Sequence, residues 1–223
     1  YARDLLERVW KTNLPYGKGR TVPEMVRGLE TGELRAMYIA GADPLTDYPN
    51  AGRFASALEK ADLLIVQDLF LSPTAKMAHC VFPAASFAEK EGTFTNLERR
   101  VQRFRRAIEP RSESRPDGAI LADLMGRMGS EISCRTPVEV LSEINEQVPD
   151  YRGITFKRLE REREGIFWPC PDEEHPGTPI LHAGGLPHIP EDLALRPPDS
   201  PVSAPPDEFP LWLLTTATLF HSV

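Results

Sequence analysis

Ala36-Met37-Tyr38-Ile39-Ala40, Leu63-Leu64-Ile65-Val66 and Cys80-Val81-Phe82 are the stretches that decide the fold. Each is a short, almost wholly apolar run that stops at a turn residue, as strands buried on both faces do. Helical spacing lies between them. Ala51 to Lys60 sets Phe54, Ala57 and Leu58 on one side, after a turn spanning Pro44 to Pro49. Ser72-Pro73-Thr74 supplies an N-cap with proline at the first helical position, for a short helix through Met77. Alternation of continuous apolar strands with helices predicts an α/β fold: a doubly wound, mostly parallel sheet with flanking helices.

Working outward, Thr21-Val22-Pro23-Glu24 has the capping-box form and predicts a helix to about Leu29, with Gly32 ending it. Tyr1 to Trp10 also looks helical. Downstream, Ile120 to Met128 and Thr136 to Val148 read as helices, the second opening on another capping box, Thr136-Pro137-Val138-Glu139. From Tyr151 the composition changes, and most of the 22 prolines lie between Trp168 and Pro210. An irregular, Pro-rich connector is expected there, with strand character returning at Leu211-Trp212-Leu213-Leu214. The expected organisation is therefore an α/β domain over 1–150, a connector over 151–208 and the start of a further domain over 209–223. Both ends read as cut from a longer chain.

The 223 residues suffice for one sizeable core, and 41% hydrophobic with 26% charged residues is a globular composition. No apolar run approaches the roughly 18 residues a membrane span requires. A formal net charge of −7 argues against a nucleic-acid surface, which needs clustered Lys and Arg. Cys80, Cys134 and Cys170 are too dispersed for a zinc or cluster motif, and free thiols in a reducing compartment are expected. The five histidines form no metal constellation, and neither a phosphate-loop motif nor a Ser/His/Asp order is present.

In open parallel sheets, ligands bind beyond the carboxyl ends of the strands. Asp43, after the first strand, and Gln67 and Asp68, after the second, are the first candidates. A carboxylate there could accept from ribose hydroxyls or from the paired N–H donors of a guanine edge; equally, Asp43 and Asp68 could simply make turns and cap helices. The segment Glu89 to Gln102 is dense in polar groups around Gly92. Lys90 could offer its charge to a phosphate and Arg99 or Arg100 could pair with carboxylates, or the whole could be a solvated loop.

Three stretches carry a resemblance: Tyr38-Ile39-Ala40-Gly41-Ala42-Asp43-Pro44, Val66 through Ala75, and Val81-Phe82-Pro83-Ala84 through Gln102. They resemble the molybdenum or tungsten bis-pterin oxidoreductases, which include formate dehydrogenase alpha subunits and nitrate reductases. Trp168-Pro169-Cys170-Pro171 with His175-Pro176-Gly177-Thr178-Pro179 is similar to a connector of the formate dehydrogenase-like members. The resemblance implies that Asp43, Gln67, Asp68, Lys90 and Asp117 contact the guanosine end of molybdopterin guanine dinucleotide. It also implies molybdenum or tungsten and a 4Fe-4S cluster in the full-length protein, held by residues outside this sequence. Implied partners are other domains of the same subunit and electron-transfer subunits of a complex; the implied location is cytoplasmic, or peripheral to a membrane through those subunits. Residues 209–223 resemble the opening of the family's C-terminal barrel-like domain. Two departures stand out: Gly118 replaces an aromatic, and Thr215-Thr216-Ala217-Thr218 replaces Thr-Thr-Gly-Arg. A second relative with this fold, the large iron–sulfur subunit of the respiratory NADH-quinone oxidoreductase, implies instead a structural domain without the cofactor.

Overall fold

A computed structural model describes residues 2–129 and 136–185. The chain divides into two compact units, Tyr1–Pro179 and Ile180–Val223, and every helix and strand named below belongs to the first. Cys134, the strand read at Leu211 to Leu214 and the barrel-like opening at 209–223 lie outside the described residues.

The first unit opens with α1 (Ala2–Trp10) and α2 (Val22–Thr31), followed by β1 (Ala36–Ala40). Glu24 accepts from both the amide and the hydroxyl of Thr21, and Gly32, at φ 79°, ends α2 in the left-handed conformation that a side chain would resist. Next come α3 (Pro44–Asp47), α4 (Ala51–Leu58), β2 (Leu63–Asp68), α5 (Pro73–Met77) and β3 (Cys80–Pro83). The three strands lie in the order β1-β2-β3 and pair in parallel, Ile39 opposite Val66 and Val66 opposite Val81. The chain is thus α/β, with a parallel sheet flanked by helices. The turn expected at Pro44 to Pro49 is in part the short helix α3, because Asp43 accepts hydrogen bonds that organise its first turn.

Strand alternation gives β2 two different faces. Leu64 and Val66 join Val26 and Leu29 of α2, Phe54, Ala57 and Leu58 of α4 and Ala75 of α5 in one apolar cluster. Burial of each large side chain there contributes about 1.5–3 kcal/mol. The opposite face carries Tyr38, Ile65 and Gln67, with Phe82 of β3 tilted against Tyr38 at 6.4 Å. Beyond β3, Arg115 pairs in parallel with Ala84, its amide donating to Pro83 and its carbonyl accepting from Ala85. That pairing delivers α6 (Asp117–Arg127) to the same edge of the sheet.

A second, antiparallel sheet was not expected. It comprises β4 (Gly92–Thr95), β5 (Arg100–Phe104) and β6 (Ile166–Phe167). Its cluster combines Val101 with Leu141 of α7 (Pro137–Gln147), Leu159 of α8 (Phe156–Arg161), Ile154, Ile166 and Cys170. The stretch after Tyr151 therefore carries a helix, a strand and core residues, where an irregular connector was expected. The basic run is also explained: Arg99 donates to the carbonyls of Trp168, Thr178 and Pro179, Arg100 stacks over Phe167, and Arg103 pairs with Glu91 and Glu160. Thr136 caps α7 by accepting from the Glu139 amide, while the Glu139 carboxylate accepts from the Thr136 amide. Thr136→Ala is expected to cost about 1 kcal/mol in urea unfolding.

Candidate functional site

Gln67, the last residue but one of β2, sets its side chain on the face away from the apolar cluster and is 2% exposed. Lys90 follows a turn in which Glu89, itself buried, accepts from the amides of Ser86 and Arg111 and so fixes the backbone that Lys90 leaves. Asp117 occupies the first turn of α6, where a negative charge is favoured by the helix dipole. These three side chains meet. Gln67 Nε2 donates to one Asp117 oxygen at 2.7 Å, and Lys90 Nζ donates to the other at 2.5 Å. Behind them, the Tyr38 hydroxyl donates to Gln67 Oε1 in a short hydrogen bond.

Desolvation alone would raise the Asp117 carboxyl, but hydrogen bonds from Lys90 and Gln67, with the Lys90 charge, hold it below its ordinary value. A lowered folded value means that the stabilisation is present above the unfolded carboxylate value and is lost as pH falls through the lowered one. Asp117 is therefore ionised at neutral pH. Its side chain is still 43% exposed, and of the roughly four acceptor positions of a carboxylate the two donors occupy one on each oxygen.

Lys90 and Asp117 line a cavity of about 790 Å³ that extends between the β4–β5 hairpin and the first turns of α6 and α7. Arg105 and Arg106 add positive charge to its wall, and Phe94 and Phe104, in contact at 5.0 Å, add an aromatic surface. Gly118 lies on the same wall, and a Cβ there would meet nothing within 4 Å. The lining therefore combines an ionised acceptor, cationic groups, two helix N-termini and flat apolar rings, a set suited to a phosphorylated aromatic ligand.

Asp43 and Asp68 stand at the same carboxyl edge of the sheet with their hydrogen bonds directed elsewhere. One Asp43 oxygen accepts from the amide and, in a short bond, the hydroxyl of Thr74; the other accepts from the Thr46 hydroxyl at 2.6 Å. Desolvation opposes ionisation of Asp43, and these bonds overcome it to lower the carboxyl. It ties the turn after β1 to α5. Asp68 accepts from the amide of Leu69 and is half-buried. Tyr38 is the site residue that sequence reasoning did not single out, although alternation along paired strands sets it on the same face as Gln67.

Cys80 and Cys170 are free, and among the described residues no group of three or more His, Cys, Asp or Glu is placed to hold a metal ion. Nor, among these residues, is any helix long and apolar enough to cross a membrane.

The comparisons with known proteins converge. The F420-dependent formate dehydrogenase subunit alpha of Methanocaldococcus jannaschii is 44% identical over 181 residues, covering 80% of this chain and 26% of that one. The assimilatory nitrate reductase catalytic subunit of Bacillus subtilis is 34% identical over 230 residues, covering 97% of this chain and 32% of that one. The chain thus spans about a quarter to a third of the length of these relatives. Acetylene hydratase from Pelobacter acetylenicus shares the fold over 74% of this chain and 24% of that one, with a TM-score of 0.56 at 20% identity. A family model described as molybdopterin oxidoreductase matches residues 4–127, more than half of the chain, which belongs to that family.

Proposed function

We propose that the chain holds the guanosine end of a molybdopterin guanine dinucleotide within the large subunit of a formate dehydrogenase-like oxidoreductase. The observation that carries this is Asp117: ionised, fixed from behind by Lys90 and by Gln67 near the carboxyl end of β2, and open on the wall of a cavity. Two acceptor oxygens fixed side by side suit the adjacent ring and exocyclic N–H donors of guanine, and Phe94 and Phe104 offer an aromatic surface. Lys90 and the helix N-termini favour the negative charge of a diphosphate. The residues present therefore fit the nucleotide end of the group, and the likeness to formate dehydrogenase alpha subunits supports the choice of group and substrate class.

In that reading Asp117 accepts from the base, Lys90 balances the Asp117 charge and meets a phosphate, and Gln67 orients Asp117. Asp68 is a further acceptor for ribose or base, and Asp43 shapes the first loop from its bonded position. When bound, the cofactor supplies the molybdenum or tungsten centre at which substrate is oxidised. Iron–sulfur clusters and partner subunits would then carry electrons onward, in a cytoplasmic or peripherally membrane-attached complex. The described residues bind and orient; they carry out no redox step.

Asp117→Asn tests this in the full-length subunit, because the amide keeps the shape and loses the charge. Hydrogen bonds to a charged group contribute about 1.5–3 kcal/mol, so affinity should fall by roughly 10- to 150-fold. At limiting cofactor, guanine nucleotide released on acid denaturation should drop accordingly. Unchanged nucleotide content at wild-type stability would refute the assignment.

A further inference from the structure

Tyr38 lies mid-way along β1, opposite Ile65, and Gln67 is its diagonal neighbour two residues further along β2. At that spacing a long side chain reaches its diagonal partner. The Tyr38 hydroxyl does so, donating to Gln67 Oε1 while the ring rests against Phe82. The orientation of the Gln67 amide follows from its two neighbours. Its nitrogen must face Asp117, since an amide oxygen would be repelled by the carboxylate, and its oxygen must then face Tyr38. Only a donor can satisfy that oxygen, and the phenol is one.

Gln67 is 2% exposed, so water does not readily replace the phenol. Removal of the hydroxyl leaves a buried acceptor unmatched, which favours rotation or withdrawal of the amide. Of the two side chains that hold Asp117, only Lys90 would then remain, a flexible point charge that does not fix the direction of a carboxylate.

We propose that Tyr38 is a positioning residue: acting through Gln67, its hydroxyl fixes how Asp117 presents its two oxygens, and so sets selectivity for guanine over purines lacking the exocyclic amine. This rests on the guanosine-binding reading above. Hypoxanthine serves as the probe, because it keeps the ring N–H of guanine and lacks the amine.

The test is titration of this chain with guanosine and inosine 5′-monophosphates, followed by calorimetry and by the Gln67 side-chain amide resonances. Wild type should prefer the guanosine nucleotide by about tenfold or more. Tyr38→Phe keeps the ring against Phe82 and should reduce that preference at least threefold, with faster exchange of the Gln67 amide protons. Gln67→Leu should reduce it likewise, and adding Tyr38→Phe to Gln67→Leu should change the ratio no further, the non-additivity that a relay requires. A wild-type chain that binds neither nucleotide, or binds both equally, overturns the guanine reading and this inference together. A wild-type preference that survives intact in Tyr38→Phe overturns the inference alone. Additive losses in the double variant would show that Tyr38 does not act through Gln67, and would overturn it too.

Discussion

Replacing Arg158 with methionine is expected to destabilise the first unit by about 3–5 kcal/mol, because it leaves several buried acceptors unmatched at about 1–3 kcal/mol each. Arg158 is 5% exposed. Its guanidinium donates to the carbonyls of Gly153, Asp172 and His175, at 3.2, 3.4 and 2.8 Å, to Cys170 Sγ at 3.3 Å and to Glu162 at 2.7 Å. Methionine replaces much of the aliphatic stem and none of the donors. Glu162 is 42% exposed and can turn to water, whereas the contacts around the buried Cys170 thiol cannot. Most of the cost therefore falls on the loop from Cys170 to His175.

Two measurements check this: the urea midpoint, and site-resolved alkylation of Cys170. Burial pushes the Cys170 thiol up, and the nearby guanidinium only partly opposes it, so the native thiol is protonated and slow to react. In Arg158→Met the loop should open and Cys170 should be alkylated well before global unfolding. A loss below about 1 kcal/mol, in the range of an exposed ion pair such as Arg106 with Glu109, would show that Arg158 does not hold the loop.

The parts of the fold legible in the sequence are those whose information is local. Leu63 to Val66 announces a strand because both of its faces are covered, and Ser72 or Thr136 announces a helix because a single side chain satisfies an orphan amide two or three residues on. The second sheet was hidden because its stability is not local. Only Val101 of β5 is fully buried, and the other β5 residues look like a charged loop until Phe167, Glu160 and Glu91 are brought to them from elsewhere in the chain. Ile154, Leu159, Ile166 and Cys170 read as scattered apolar residues for the same reason. The candidate site divides along this line. Each of Gln67, Lys90 and Asp117 could be noticed where it stands, but Gln67 and Asp117 are 50 residues apart, and their meeting depends on the pairing of Arg115 with Ala84. Asp43 shows the converse. Its place after a strand suggested a ligand contact or a turn-forming role, and the hydroxyls of Thr46 and Thr74 give the second of these a physical basis.

One chemical change, glycine to alanine, is expected to act in opposite directions at two positions. A Cβ on Gly153 would lie 1.9 Å from the Asp172 carbonyl oxygen, 2.5 Å from its carbon and 2.7 Å from Cys170 Sγ. Two of these atoms are backbone, and Gly153 is held in place by its own amide, which donates to the Cys170 carbonyl at 2.8 Å. The clash cannot be relieved by turning a side chain. Gly153→Ala should cost about 3 kcal/mol, the upper end for overpacking, and should loosen the cluster that anchors β5. Since β5 pairs with β4 on the cavity wall, nucleotide affinity should weaken with it. Gly118 lies in α6, where a Cβ meets nothing within 4 Å, so Gly118→Ala gains helix propensity without strain and should stabilise by about 0.5–1 kcal/mol. Urea midpoints of the two variants against wild type decide the matter. A Gly153→Ala midpoint no lower than wild type would mean that the contact between Gly153 and Asp172 is not formed in solution, and the loop pinned by Arg158 would lose its second restraint; a Gly118→Ala midpoint below wild type would mean that the space beside Gly118 is not open.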